Sequence, residues 1–323
     1  MAAVARAHPN IALLKYWGKA DDELIIPVAG SMSMTLDQFA TTTSVALTTD
    51  ADTFKLNGTL ADAKATGRTT VFLDLVRGLA AEAGLDTADA YANVVSTNEG
   101  PTAAGMASSA SGFAALATAA AAAYGLELST KDLSRLARRG SGSASRSLID
   151  RFAVWHAGTS DATSYAETIS APDMAMVSVT VNATAKKVSS RDGMVATRDT
   201  SPYYQAWIDT TEATLDEMIA ACAAEDFTRI GELTETHAHR MHAVINATNP
   251  PIRYLAPVSW QVFDEVAAMR DDGLEAYATA DAGPNVVIIC RPDDAAAVAA
   301  RVAPFGEITT FAPGVGAHLV DSA

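Results

Sequence analysis

No residue between Glu99 and Glu127 carries a charge, and the second half of that run, 110–124, is almost wholly alanine and other apolar residues. A stretch of this length can span a bilayer. Pro101, a Ser-Ser-Ala-Ser cluster and the predominance of alanine make it too weakly apolar for insertion. What remains is a helix apolar on every side, which must be covered on every side and so packs against a sheet inside a globular domain. Gly125 supplies its stop.

The rest of the chain can build such a domain. Apolar residues make up 49% of the sequence and charged residues 19%, and 323 residues suggest about two domains. Asp plus Glu outnumber Lys plus Arg by 38 to 23, for a net charge of −15. Such a surface repels phosphate backbones and anionic headgroups, so neither nucleic acid nor membrane is an expected partner. Cys222 and Cys290 have no metal-ligand spacing. The first residues contain no apolar core of a signal peptide, so a cytoplasmic location is expected.

Residues 24–49 read as strand-rich, with β-branched 41–47 the clearest strand. Helical spacing runs from 71 to 83 and stops at Gly84. Ser129 reads as the cap of a helix over 131–139, closed by Gly140, and a further helix is expected from about Ala144. A strand at 174–182 is followed by polar turn material, then helices at about 201–224 and 226–247 separated by Asp226. A helix at 257–272, strands at 274–280 and 286–290 and a helix at 293–303 complete an α+β pattern, with a boundary between halves near 172–190.

Several segments carry polar groups suited to chemistry. The glycine-rich 98–112 segment, NEGPTAAGMASSASG, feeds the buried helix, an arrangement that presents backbone N–H donors and a positive dipole end to phosphate. An ordinary Ser-capped helix after a turn explains it equally well, and it is neither a Walker A loop nor GxGxxG. RRGSGSASRS at 138–147 again joins a Gly/Ser loop to a helix start, with a guanidinium able to fork onto phosphate or carboxylate; a flexible connector is its bland alternative. Lys15, Tyr16 and Lys19 cluster in NIALLKYWGK, and Asp281 ends a strand in DAGPN. That aspartate can be a general base or simply a turn residue. THAHRMH at 236–242 invites a zinc reading, but only His239 and His242 share a helical face, and no further ligand completes a set. Both histidines are therefore expected to be dispensable for activity.

Taken together, NIALLKYWGK (10–19), SMSMTLD (31–37), PTAAGMASSASGFAALA (101–117), RRGSGSASRS (138–147), SSRDGM (189–194) and DAGPN (281–285) resemble the diphosphomevalonate decarboxylase family of the GHMP kinase superfamily. Ser145 stands where a cysteine is common in that family. The resemblance implies a GHMP kinase fold, with a ribosomal-S5-like ATP-binding half over 1–175 and a ferredoxin-like half over 176–323. It also implies a homodimer, ATP and Mg²⁺ as cofactors, and conversion of mevalonate 5-diphosphate to isopentenyl diphosphate, ADP, phosphate and CO₂. By the same resemblance, Asp281, Arg146, Lys15 and Ser109 are catalytic. Asn98, Pro101, Ala104, Gly105, Met106, Ala107, Ser108 and Ser109 hold ATP, with Mg²⁺ near Ser108 or Ser109. Asn10, Tyr16, Lys19, Ser141, Gly142, Ser143, Arg146, Ser190, Arg191, Met194 and Ala282 hold the substrate. A mevalonate 5-phosphate decarboxylase, a 3-kinase on the same scaffold and a non-catalytic ligand sensor are the alternatives.

Overall fold

The computed structural model of the chain describes residues 2–100, 108–181 and 188–321. The apolar helix Ser108–Tyr124 lies against a six-stranded sheet whose order is His318–Val320, Ala3–Ala7, Thr41–Thr48, Tyr91–Asn98, Thr53–Leu56, Thr59–Leu60. All neighbouring pairs are antiparallel except Thr53–Leu56 with Tyr91–Asn98. Tyr91–Asn98 alternates exposed and buried along most of its length, the two-residue period of a strand with one face covered. Ala114, Ala115, Ala117 and Ala120 meet Ala5, Ala7, Val45 and Val94 in the resulting core, where methyl side chains let helix and sheet backbones approach closely. Helix Ala63–Glu82 adds Phe72, Leu73 and Val76 to the same cluster.

A second antiparallel sheet, in the order Ala166–Thr168, Phe152–Trp155, Ser31–Thr35, Asn10–Leu14, is buried on both faces along its three longer strands. A third, Ala276–Thr279, Val286–Cys290, Ala175–Thr180, Glu307–Phe311, is also antiparallel. Helices Pro257–Asp271 and Ala295–Val302 cover one of its faces. The other face shares a core with the second sheet, in which Leu13, Met32 and Met34 meet Met176, Ile289 and Phe311. Helices Tyr204–Ala223 and Phe227–Asn246 contribute Met218, Cys222 and Ile230 to that joint core.

Several expectations change on contact with the structure. The first long helix begins at Ala63, capped by Asp62, eight residues before the apolar period becomes visible. The segment expected to open a helix near Ala144 is instead a tight 3₁₀ run, Gly142–Leu148. Polar 190–200, taken for turn material, is a helix, Ser190–Thr200, capped by the Ser189 hydroxyl accepting from the Asp192 N–H. The strand His318–Val320 belongs to the sheet of the first half, so a single cut at 175/176 does not sort every element by sheet. Cys222 and Cys290 are buried free thiols. Among the described residues no helix is long and apolar enough to cross a membrane.

Candidate active site

The alternation of SMSMT places Ser31, Ser33 and Thr35 on one side of their strand and Met32 and Met34 on the other. The methionines enter the joint core. The serines face Arg146, whose Nε donates to Ser33 Oγ at 3.0 Å and whose Nη1 donates to Ser31 Oγ at 2.6 Å. Its Nη2 donates to Asn10 Oδ1 at 3.3 Å. Asn10 in turn donates to the Ser143 carbonyl at 3.0 Å and Ser147 Oγ at 2.8 Å, tying the 3₁₀ segment to the strand. Burying a guanidinium is tolerable only because every nitrogen finds an acceptor. Burial lowers the pKa of Arg146 to about 10, against the opposing pull of Asp281 and Tyr16, so it remains a cation at neutral pH.

Lys15 follows the strand Asn10–Leu14 and is 2% exposed. Its Nζ donates to the Ala12 carbonyl at 2.7 Å and to Asp281 Oδ1 at 2.7 Å. Burial lowers its pKa, Asp281 opposes that shift, and the nearby Arg146 charge adds to it. The pair is lopsided: the Lys15 side chain is 1% exposed and that of Asp281 41%. The cation is locked in protein, and the carboxylate it holds stands at the wall of a cavity.

That cavity, of about 490 Å³, also takes lining from Asn10, Tyr16, Lys19, Arg146, Arg191 and Ala282. Ser109, Ser141, Gly142, Ser143, Ser190 and Met194 line it as well. Gly142 is there because nothing larger fits: a Cβ would lie 2.8 Å from the Tyr16 ring. The Ser141 hydroxyl lies 3.4 Å from Ser109 Oγ and 3.3 Å from Ser143 Oγ. Lys19 Nζ rests on Asp22 at 3.1 Å. A smaller adjoining cleft, of about 180 Å³, contains Asn98 beside Thr41, Phe54 and Phe113, and shares Ser109 and Arg68 with the first. The sequence-expected ATP-loop residues Pro101, Ala104, Gly105, Met106 and Ala107, and the side chain of Ser108, lie outside the described residues.

The structure adds residues that the sequence reading did not pick out. Lys64 and Arg68, one helical turn apart on Ala63–Glu82, line the main cavity. Burial and the charge of Arg191 both lower the Arg68 pKa, as expected where two cations share a cavity. Their i, i+4 spacing is the signal that could have flagged them. Of the three histidines in THAHRMH, His237 and His242 are buried, while His239 is exposed and stacks on Trp260. Among the described residues no group of three or more His, Cys, Asp or Glu is arranged to hold a metal ion.

Two family models cover most of the chain. A diphosphomevalonate decarboxylase-like N-terminal domain matches residues 7–166, and a mevalonate 5-diphosphate decarboxylase C-terminal domain matches residues 175–313. The diphosphomevalonate decarboxylase of Ganoderma lucidum is 39% identical over 309 residues, covering 88% of this chain and 77% of that protein. The human diphosphomevalonate decarboxylase is 37% identical, over 94% of this chain and 80% of its own length. Among solved structures, one described as MDDEF in complex with MVAPP, AMPPCP and magnesium superposes with a TM-score of 0.93 at 44% identity, covering 100% of this chain and 99% of that one. Mevalonate diphosphate decarboxylase from Staphylococcus aureus gives 0.93 at 42% identity, over 99% and 98%.

Proposed function

This chain belongs to the diphosphomevalonate decarboxylase family, and from that premise we propose how its own residues turn ATP and mevalonate 5-diphosphate into isopentenyl diphosphate, ADP, phosphate and CO₂. The observation that carries the reading is the buried Lys15 holding Asp281 at the wall of the cavity that also contains Arg146.

Losing CO₂ from a β-hydroxy acid releases an electron pair that needs a destination. Ejecting the tertiary C3 oxygen provides one, once phosphorylation has made it a good leaving group. Asp281 accepts the C3 hydroxyl proton as that oxygen attacks the γ-phosphorus of ATP and ADP departs. Lys15 fixes one Asp281 oxygen, so the carboxylate meets the hydroxyl in one orientation, and positioning is most of what phosphoryl transfer requires. Then the C1–C2 bond breaks, its electrons form the C2–C3 double bond, and the C3–O bond breaks, so CO₂ and phosphate leave together. Arg146, planar and held by Ser31, Ser33 and Asn10, presents its fork to the substrate carboxylate and keeps the C1–C2 bond aligned with the leaving oxygen.

Tyr16, Lys19, Ser190, Arg191 and Met194 take the 5-diphosphate end, with Ser141, Gly142 and Ser143 as the cradle. Lys64 and Arg68 add positive charge to the same cavity. Four cationic side chains favour a diphosphate over a monophosphate. The Asn98 cleft takes the nucleoside, and Ser109, shared by both cavities, marks where the γ-phosphate crosses. The Ser109 hydroxyl suits a hard cation that keeps most of its ligands from phosphate oxygens and water; magnesium bound there would neutralise phosphate charge. We extend the reading to a division at 175/176, with His318–Val320 returning to the first half, and to a cytoplasmic homodimer; sedimentation equilibrium tests the dimer. The activity is tested by measuring ADP and CO₂ release with mevalonate 5-diphosphate and with the 5-monophosphate. The proposal requires both products, in equal amounts, with the diphosphate preferred. ADP without CO₂ would indicate a 3-kinase.

A further inference from the structure

Lys15 and Asp281 sit at the ends of strands from different sheets, Asn10–Leu14 and Ala276–Thr279. One helix, Phe227–Asn246, contacts the backbone at both ends. The Lys15 N–H donates to His237 Nδ1 at 3.0 Å. His242 Nε2 donates to the carbonyl of Ala280, the residue before Asp281, at 3.3 Å. The helix is itself seated on the Asp281 strand. Gly231 lies flat on Tyr277, where a Cβ would come within 1.9 Å of the ring. Glu235 accepts from the Ala278 N–H at 2.8 Å and pairs with Arg270 at 2.7 Å.

We propose that His237 and His242 are positioning residues that set the separation and orientation of the Lys15–Asp281 pair, each acting as a neutral imidazole protonated on Nε2. The inference rests on the decarboxylase reading given above. Its tautomers follow from the partners. His237 Nδ1 accepts from an N–H, so its proton is on Nε2, which donates to Thr211 Oγ1 at 3.2 Å. The Thr211 hydroxyl in turn donates to the Trp207 carbonyl at 2.7 Å, so every group in that chain is used in one direction. A carbonyl can only accept, so His242 Nε2 is its donor. His242 Nδ1 is buried and has no hydrogen-bond partner among the described residues. That orphaned nitrogen is costly, and an apolar side chain would avoid the cost. Among the described residues the ring's one hydrogen bond is to the turn that carries Asp281. Burial, reinforced by the Lys15 charge, lowers the His237 pKa to about 3. Burial, opposed by the bond to Ala280, lowers that of His242 to about 4. A protonated His237 would turn a donor toward the Lys15 N–H.

The two rings face the pair with different nitrogens, which permits a crossed test. An asparagine amide falls near the Nδ1 position and a glutamine amide near Nε2. His237→Asn keeps an acceptor for Lys15 and His237→Gln does not; His242→Gln keeps a donor to Ala280 and His242→Asn does not. The expected kcat for ADP release is within about threefold of the parent for His237→Asn and His242→Gln. It falls by about tenfold or more for the other two, since displacing reacting groups by about 1 Å can cost about 100-fold. KM for either substrate should move less than about threefold, because neither ring lines the cavity. Thermal midpoints are measured for all four variants. Equal kcat for Asn and Gln at either position overturns the proposal, as does a loss carried by KM. A loss that follows the thermal midpoint instead of the crossed order, or failure of the conservative pair to fold, also overturns it. A parent that releases no ADP and CO₂ overturns the decarboxylase reading itself; an active parent with uncrossed variants overturns only this inference.

Discussion

Arg146→Lys keeps the charge at the centre of the site and removes the fork. In the parent, three nitrogens reach three acceptors, Ser33 Oγ, Ser31 Oγ and Asn10 Oδ1, at 3.0, 2.6 and 3.3 Å. A single ammonium cannot sit at all three points and also meet a substrate carboxylate with two parallel bonds. At least one charge-assisted hydrogen bond is lost, about 1.5–3 kcal/mol, which corresponds to a fall of about 10–150-fold if it is expressed in the transition state. Alignment matters most as the C–C and C–O bonds break, so the loss should appear in kcat for CO₂ release. KM for ATP should hold within about threefold, because Arg146 does not line the Asn98 cleft proposed for the nucleoside. Steady-state kinetics with both substrates varied measures this. Adding Ser31→Ala to Arg146→Lys should cost less than Ser31→Ala alone, since the two side chains share one bond. Unchanged kcat, or a defect confined to ATP, would remove Arg146 from the carboxylate site.

Asp281→Asn should lower turnover by about 10²–10⁴-fold while nucleotide binding, followed by calorimetry, stays near the parent value; turnover within threefold would exclude Asp281 as the base. His239→Ala should leave kcat within about twofold and activity indifferent to zinc chelators, because that ring stacks on exposed Trp260; stoichiometric zinc in the purified protein would contradict it. Stability should fall as pH drops from about 6.5 toward 4.5. His237 and His242 titrate at about 3 and about 4 when folded and near 6.5 when unfolded, so in that window the unfolded chain binds more protons. Urea titrations should show the parent losing about 1.4 kcal/mol per pH unit more than His242→Gln below pH 6. Parallel pH profiles would show that His242 is not held neutral by the fold.

What could be read from the sequence depended on whether an element carries a strong local signature. The alanine-rich helix, the capped helices after Ser129 and Asp226 and the strand Val286–Cys290 all carry one. Ser190–Thr200 does not, because its buried residues are only Gly193 and Thr197, and a glycine and a threonine produce no apolar period. The Ser31 and Ser33 contacts to Arg146 were not read, although Ser-Met-Ser-Met-Thr alternates hydroxyls and methionines and the two-residue period assigns each set to a face. The burial of both His237 and His242 was not anticipated, because helical phase was weighed as if Phe227–Asn246 had one buried side. It packs against both a strand end of the second sheet and the Asp281 strand, so residues about 140° apart on it are both interior. Three-residue His318–Val320 pairs with Ala3–Ala7 over a separation no local pattern encodes.

That last pairing sets an order of events during synthesis. Ala3–Ala7 leaves the ribosome well ahead of one of its two neighbours, His318–Val320, which is 311 residues behind Ala7. At about 5–20 residues per second, the strand waits about 15–60 s with one row of backbone donors and acceptors open. The third sheet, made entirely within that interval, can fold while the first is still incomplete. A nascent chain of this kind is exposed to edge-to-edge association until His318–Val320 is made, and slowing elongation would lengthen that exposure without changing a single contact of the finished molecule.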